Sequence, residues 1–446
     1  RGKVRQKAEM PPGVRAIEYD MNGFLHQCID RYVELAGSNA PTFRQVDTPF
    51  IDEGPLVPEM ESEVRGALAP IASRVLMKIL YAARMARYDL LRATCYLATL
   101  VTKWTPVCDR TLHRLVCYIK STLDLRLIWW VGDDASKFRL ELFTDADLAG
   151  DKLTHRSTSG VFLRLSGPNS CFAVVAMSKR QTCVSHSTPE AEIVAADLGL
   201  RTEGIPALEL WETVLGRKIE IVLREDNSAA IHVLTTGKNP SMRHMGRTHR
   251  IDLAWLHERL QEEGIRIEYC ETAQMAADIF TKAFTGRDKW LHACKQISHL
   301  MPGDFKVKLL PKKAEVRHSA HPVVGDAGGH RRRLVEFCCS EDSTLGRVSR
   351  PAEGCRVIRV TKRNDVTTPA GLAFAVDAVS CKVPCLLWAS IPCTGGSPWQ
   401  RLSKDKPGAG ARMKKHLQLF HRIWRFFEVV AEKCHKHGGK IAMEWP

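Results

Sequence analysis

A chain of 446 residues with 44% hydrophobic and 26% charged side chains has room for roughly two to four domains and is apolar enough to fold, which excludes a wholly disordered protein. Lys plus Arg number 65 against 50 Asp plus Glu, and a net charge of +15 favours a polyanionic partner, nucleic acid foremost. The 15 cysteines include no CxxC pair with a matching second pair at zinc spacing, and no apolar run reaches a membrane span of about 18 to 20 residues. Reduced thiols, an intracellular setting in cytoplasm or nucleus, and no membrane are expected. The chain begins at Arg1 rather than Met and stops at Pro446 inside what reads as a strand end, so a piece of a longer chain is expected.

Residues 1–60 are polar and interrupted by proline (MPPG, APTF, EGPLVPEM) and read as linker or loosely packed surface. Residues 61–130 turn helical, with Leu90, Ala93, Leu97 and Leu100, then Leu112, Leu115, Val116 and Ile119, at spacings of three and four. From residue 137 to 300 strands and helices alternate. FRLELFTD, GVFLRLS and CFAVVAMS fit an antiparallel meander, and a helix begins at STPEAEIVAADLGL with Thr188 as N-cap before Pro189. Strand IEIVLRED, helical NSAAIHVL and RIDLAWLHERLQEEG, strand IRIEYCE and a helix AADIFTKAF complete this part. Residues 301–330 read as a basic linker, and 331–446 as a second, smaller α/β unit built on RLVEFCC, CRVIRVT, PCLLWASIPC and GKIAMEWP.

LFTDADLAGD puts three carboxylates within seven residues at the end of an apolar strand pattern. Four acids hold comparable places: Asp145 ends that strand, Glu192 lies one turn into the long helix, Asp226 ends IVLRED, and Asp278 opens the last helix. Converging on one sheet edge, they would repel unless cations neutralised them, and hard oxygen donors suit Mg²⁺ or Mn²⁺. Two such ions about 3.5 to 4 Å apart would serve in-line displacement at a phosphodiester.

In the order LFTDADLAGD, RSTSGVFLRLSG, SKRQTCVSHSTPEAEIVAA, REDNSAAI, NPSMRHMGRTHRID and AADIFTK, the sequence resembles the RNase H domain of copia-type retrotransposon Pol polyproteins. Upstream, YAARMARYDLLRATCYLATL and CDRTLHRLVCYIKSTLDLRL resemble the connection between reverse transcriptase and RNase H, with ARYD in place of the family's Arg-Pro-Asp. The resemblance implies an RNase H-like mixed sheet with flanking helices and a metal-dependent endonuclease that cuts the RNA strand of RNA/DNA hybrids beside other parts of the polyprotein. Its catalytic and metal-binding carboxylates fall on Asp145, Glu192, Asp226 and Asp278, with Glu190 the alternative to Glu192. The basic run Arg243, His244, Arg247, His249 and Arg250 offers contacts for substrate phosphates, though a solvated helix face reads equally well. A relic or connector that only binds nucleic acid through its charge is the non-enzymatic reading.

In the C-terminal unit PCTGGS resembles the Pro-Cys-x-Gly-x-Ser loop of DNA cytosine-5 methyltransferases, and MEWP part of a Glu-Asn-Val strand end. That resemblance implies Cys393 as nucleophile, Glu444 at the base and S-adenosylmethionine as cofactor, although glycines are sparse around Gly346 and no ribose-binding acid stands at Thr361.

Overall fold

The alternation expected from residue 137 onward forms the centre of a nine-stranded mixed sheet. The computed structural model describes residues 2–4, 13–39, 41–52, 63–262, 264–301, 332–341, 343, 355–381, 383–391 and 409–443. The chain divides into two units, Arg1–Lys313 and Ala314–Pro446.

The strands of the first unit are β1 (Gly2–Val4), β2 (Arg15–Tyr19), β3 (Arg126–Val131), β4 (Arg139–Asp147), β5 (Thr158–Gly167), β6 (Ser170–Arg180), β7 (Ile221–Glu225), β8 (Ile265–Tyr269) and β9 (His299–Leu300). They run in the order β1-β2-β3-β6-β5-β4-β7-β8, with β9 beside β3. β4, β5 and β6 are the expected antiparallel meander, whereas β7 is parallel to β4 and β8 to β7. Helices are α1 (Asn22–Ala36), α2 (Ala69–Met85), α3 (Leu91–Thr99), α4 (Pro106–Ser121), α5 (Thr188–Gly199), α6 (Ile205–Leu215), α7 (Ser228–Thr236), α8 (Met245–Thr248), α9 (Leu253–Gln261) and α10 (Arg287–Gln296).

Strand alternation sends Leu140 and Leu142 to one face of β4 and Phe143 to the other, and both faces are covered. Leu140 and Leu142 join Ile193, Leu200, Val233 and Leu256 from the helices between α5 and α9. Phe143 and Phe162 join a larger core with Leu76 and Ile79 of α2, Leu97 of α3, Leu115 of α4 and Trp290 of α10. The helical stretch before the sheet therefore shares its core. The ARYD sequence joins the two: Arg87 grips Asp89 with two 2.8 Å hydrogen bonds, and Asp89 also accepts from Tyr118 Oη at 2.9 Å. Trp290 donates to Tyr118 Oη at 3.1 Å, and Tyr88 N donates to His299 Nε2 at 3.1 Å.

Several elements differ from the sequence expectations. Within residues 1–60, read as linker or loose surface, α1 buries Leu25 and Tyr32 in the larger core, and β2 pairs with β3. The N-cap of α5 is Ser187, which accepts from Glu190 N, rather than Thr188. AADIFTKAF is not an α-helix: Ala276–Phe280 is a 3₁₀ turn, and the helix that follows is α10.

The second unit holds β10 (Arg332–Phe337), β11 (Cys355–Val360), β12 (Cys385–Ala389) and β13 (Lys440–Met443), all parallel in the order β11-β10-β12-β13, with α11 (Pro369–Val379) and α12 (Ala409–Lys436). Val335, Phe337, Leu387 and Ala389 pack against Ala375 and Val379 of α11 and Phe427 and Val430 of α12. The expected second, smaller α/β unit is present. Gly346, Cys393 and Glu444, the positions tied to the methyltransferase resemblance, lie outside the described residues. No helix among the described residues is long and apolar enough to cross a membrane.

Candidate active site

Asp145 lies near the carboxyl end of β4 and is buried. Asp226 follows the last residue of the parallel neighbour β7, so adjacent strand ends deliver two carboxylates to one edge. Asp278 arrives on the 3₁₀ turn Ala276–Phe280, which is able to lie against the sheet because Asp145 pairs across the ladder with Gly160. A Cβ at Gly160 would meet Ala277 O and Thr281 Cγ2, each at 2.8 Å. Glu192 enters from α5, whose Gly199 allows close approach to β4: a Cβ there would stand 2.9 Å from Thr144 Cγ2.

Two groups of carboxylates result. Asp145, Asp226 and Asp278 present oxygens within 4.8 Å of one another, and so do Glu192, Glu225 and Asp226. Asp226 belongs to both, and the four acids expected from the sequence meet through it. Glu225, which sequence reading passed over as an ordinary strand residue, is fully buried and accepts from Thr144 Oγ1 at 3.3 Å.

Crowding of acids shows in their protonation. Burial, then Glu225, Asp145 and Asp226, push the Glu192 carboxyl up to about 11. Burial raises Glu225 to about 8, with Asp226 and Asp145 adding to it, and raises Asp278 to about 7 with Asp145 as the next cause. Asp145 is also raised, by burial above all, against the lowering effects of Lys282 and Thr281. Thr281 Oγ1 donates to Asp145 Oδ2, and Lys282 Nζ stands 2.6 Å from Asp278 Oδ1 and 3.5 Å from Asp145 Oδ1. Arg92 of α3 donates to Thr281 O at 2.9 Å and lies 3.8 Å from Asp147, so the helical segment touches this centre directly.

Glu192 Oε2 is buried and has no hydrogen-bond partner among the described residues. An orphaned carboxylate oxygen in a cluster of hard oxygen donors fits a divalent cation such as Mg²⁺ or Mn²⁺. Glu190, the alternative, is differently placed. Its carboxylate is held by His244 Nε2 at 3.1 Å, His249 Nε2 at 2.9 Å and the His186 amide at 3.1 Å. Burial would raise Glu190, but those hydrogen bonds outweigh it and hold the carboxyl below its ordinary value.

The basic run divides accordingly. Arg243, Arg247 and Arg250 are exposed. His249 is not available as a phosphate contact, because its side chain is only 1% exposed and faces Glu190. Arg250, the next residue, has φ 58° and is exposed.

No family model matches the chain. The retrovirus-related Pol polyprotein from transposon TNT 1-94 of Nicotiana tabacum is 28% identical over 277 residues, which is 60% of this chain. The chain spans 20% of that relative's length. Among solved structures, LC11-RNase H1, isolated from compost by a metagenomic approach, is similar at 14% identity over 32% of this chain and 92% of its own, with a TM-score of 0.22. Neither similarity supports the methyltransferase reading of the second unit. Over those 277 residues the chain is similar to a retrovirus-related Pol polyprotein of a plant transposon.

Proposed function

We propose that the first unit is a ribonuclease H-type endonuclease that depends on Mg²⁺ or Mn²⁺ and hydrolyses the RNA strand of RNA/DNA hybrids, working beside other parts of a Pol polyprotein in cytoplasm or nucleus. The observation that carries this reading is the junction of two carboxylate groups at Asp226, one of them containing an orphaned, buried Glu192 oxygen. Asp145, Glu192, Asp226 and Asp278 would hold the ions. Ions bound there would supply water activation and charge stabilisation at the leaving oxygen.

The chain's own residues account for the rest. Thr281 and Lys282 fix Asp145 and Asp278, while the clasp of His244 and His249 on Glu190 fixes the first turn of α5 two residues before Glu192. Arg243, Arg247 and Arg250 supply positive charge for backbone phosphates, and the 2′-hydroxyl and groove shape of a hybrid would select its RNA strand.

An end-labelled RNA/DNA hybrid incubated with the full chain tests the reading. RNA-strand cleavage that requires Mg²⁺ or Mn²⁺ and stops on chelation is expected. Binding that weakens with salt, with no cleavage at any metal concentration, would overturn it in favour of a connector that only binds nucleic acid.

A further inference from the structure

We propose that a basic groove at the opposite end of the same sheet face binds the phosphates of a nucleic-acid strand, at a site separate from the carboxylate centre. The groove encloses about 990 Å³, with Arg139, Glu141 and Arg164 on its strands, Trp130 of β3 at its side and Lys295 of α10 in its wall. Arg139, Glu141 and Asp145 alternate onto one face of β4, and six residues of strand at about 3.3 Å each separate Arg139 from Asp145 by about 20 Å.

The charge arrangement points to an anion from outside. Glu141, buried at 4% exposure, contacts Arg139 Nη2 at 3.0 Å, Arg164 Nη2 at 2.7 Å and Arg224 Nη2 at 2.6 Å. Glu268 also reaches Arg224 and is shared with Arg266, which Glu220 pairs in turn, so across the whole cluster four guanidiniums against three carboxylates leave one positive charge in excess. Burial would raise Glu141, yet Arg164 and Arg224 hold its carboxyl down at about 2, so it stays charged and keeps the guanidiniums fixed. Lys137 and Lys295 add exposed ammonium groups on the groove's lining, Lys137 acting also on Asp134.

Guanidiniums held in place lose little freedom on meeting a phosphate and can grip it with paired hydrogen bonds. The half-buried Trp130 ring adds a surface on which a base can stack. A free nucleotide and a nucleic-acid strand share this chemistry. The strand is the occupant chosen, because a chain with a net charge of +15 acts on many phosphates together.

The test uses the full chain and a fluorescein-labelled single-stranded oligonucleotide, with anisotropy measured across a salt series in chelator. Metal and cleavage then play no part, and failure here is distinguishable from failure of the nuclease reading. Replacing both Arg139 and Lys295 by Ala should lower the slope of log affinity against log salt by about 1.4, which is two contacts at about 0.7 each, and should weaken binding by about 25-fold at 0.1 M salt. Lys295→Glu alone leaves the Glu141 cluster untouched and should weaken binding in the same direction, which guards against a folding defect in the double variant. An unchanged affinity and slope in both variants overturns the proposal. Displacement of the oligonucleotide by equimolar adenosine monophosphate would overturn the strand as occupant.

Discussion

The Lys282 ammonium donates to Asp278 Oδ1 at 2.6 Å while standing 3.5 Å from Asp145 Oδ1, so one side-chain cation bridges two of the clustered carboxylates. Burial alone would lower the Lys282 pKa, but Asp145, Asp278 and Asp226 outweigh it and hold its proton more tightly than usual. A divalent ion entering between those oxygens competes with this ammonium. Lys282→Ala should therefore tighten Mg²⁺ binding by about tenfold or more, since unit charges 4 Å apart interact by about 4 kcal/mol at an effective dielectric of 20. Titration calorimetry measures this directly. The metal-free variant should also melt at lower temperature, with Mg²⁺ restoring it.

Asp226 is the carboxylate common to both groups, so its neutralisation should affect both. Asp226→Asn is expected to reduce hybrid cleavage by at least about 100-fold, two steps of 1.36 kcal/mol. Without metal its melting temperature should stay level or rise, because repulsion on Glu192 and Asp145 is relieved. Cleavage at the unaltered rate would sink the assignment.

Stability of the metal-free chain should fall as pH rises from about 4 toward about 8. Asp278 and Glu225, held at about 7 and about 8, and Glu192, at about 11, keep protons in the folded state that they release when unfolded, where carboxyls titrate near 4. The folded state thus binds more protons across this window, and unfolding becomes easier with rising pH. A saturating divalent ion at about 100 times its Kd should add about 2.7 kcal/mol. Thermal melts with and without Mg²⁺ should separate far more at pH 8 than at pH 5; equal separation at both would contradict the protonated cluster.

Gly160→Ala tests how the centre is assembled. The added methyl has only 2.8 Å to Ala277 O, a backbone atom, so the turn carrying Asp278 must move away from Asp145. Cleavage and Mg²⁺ affinity should both drop, with the fold retained by circular dichroism. Retention of full Mg²⁺ affinity would show that the turn need not approach so closely.

How much of this was legible in the sequence follows from where the information is local. β4 to β6 stand out because period-two patterns repeat within a few residues, and the acids at the ends of β4 and β7 follow from them. β3 escaped because RLIWWV has no polar alternation, being covered on both sides, and α1 because it lacks a capping side chain at Met21. AADIFTKAF looks helical, yet packing against Gly160 keeps it a 3₁₀ turn. A glycine inside a strand pattern is the available sign of such a close approach. The contacts of Glu190 with His244 and His249 and of Glu141 with Arg224 join residues 54 to 83 positions apart, and no local pattern encodes them.

The Arg87 and Asp89 pair yields the last prediction. Both side chains are at most 1% exposed, and Asp89 accepts from Tyr118, which in turn accepts from Trp290 of α10. His299 receives Tyr88 N at Nε2 and faces Ile297 O through Nδ1 at 3.0 Å, so burial leaves it neutral and Arg87 is the cation opposite Asp89. Asp89→Ala would leave that guanidinium buried without its carboxylate, a change that costs about 3 to 5 kcal/mol. Because the same network reaches α4, α10 and β9, the loss should lower the urea midpoint of the helical segment and the sheet together. Urea unfolding of the first unit followed in parallel by circular dichroism and tryptophan fluorescence tests this. Coincident, shifted transitions are expected; a shift confined to one probe would mean that the helical segment and the sheet unfold separately.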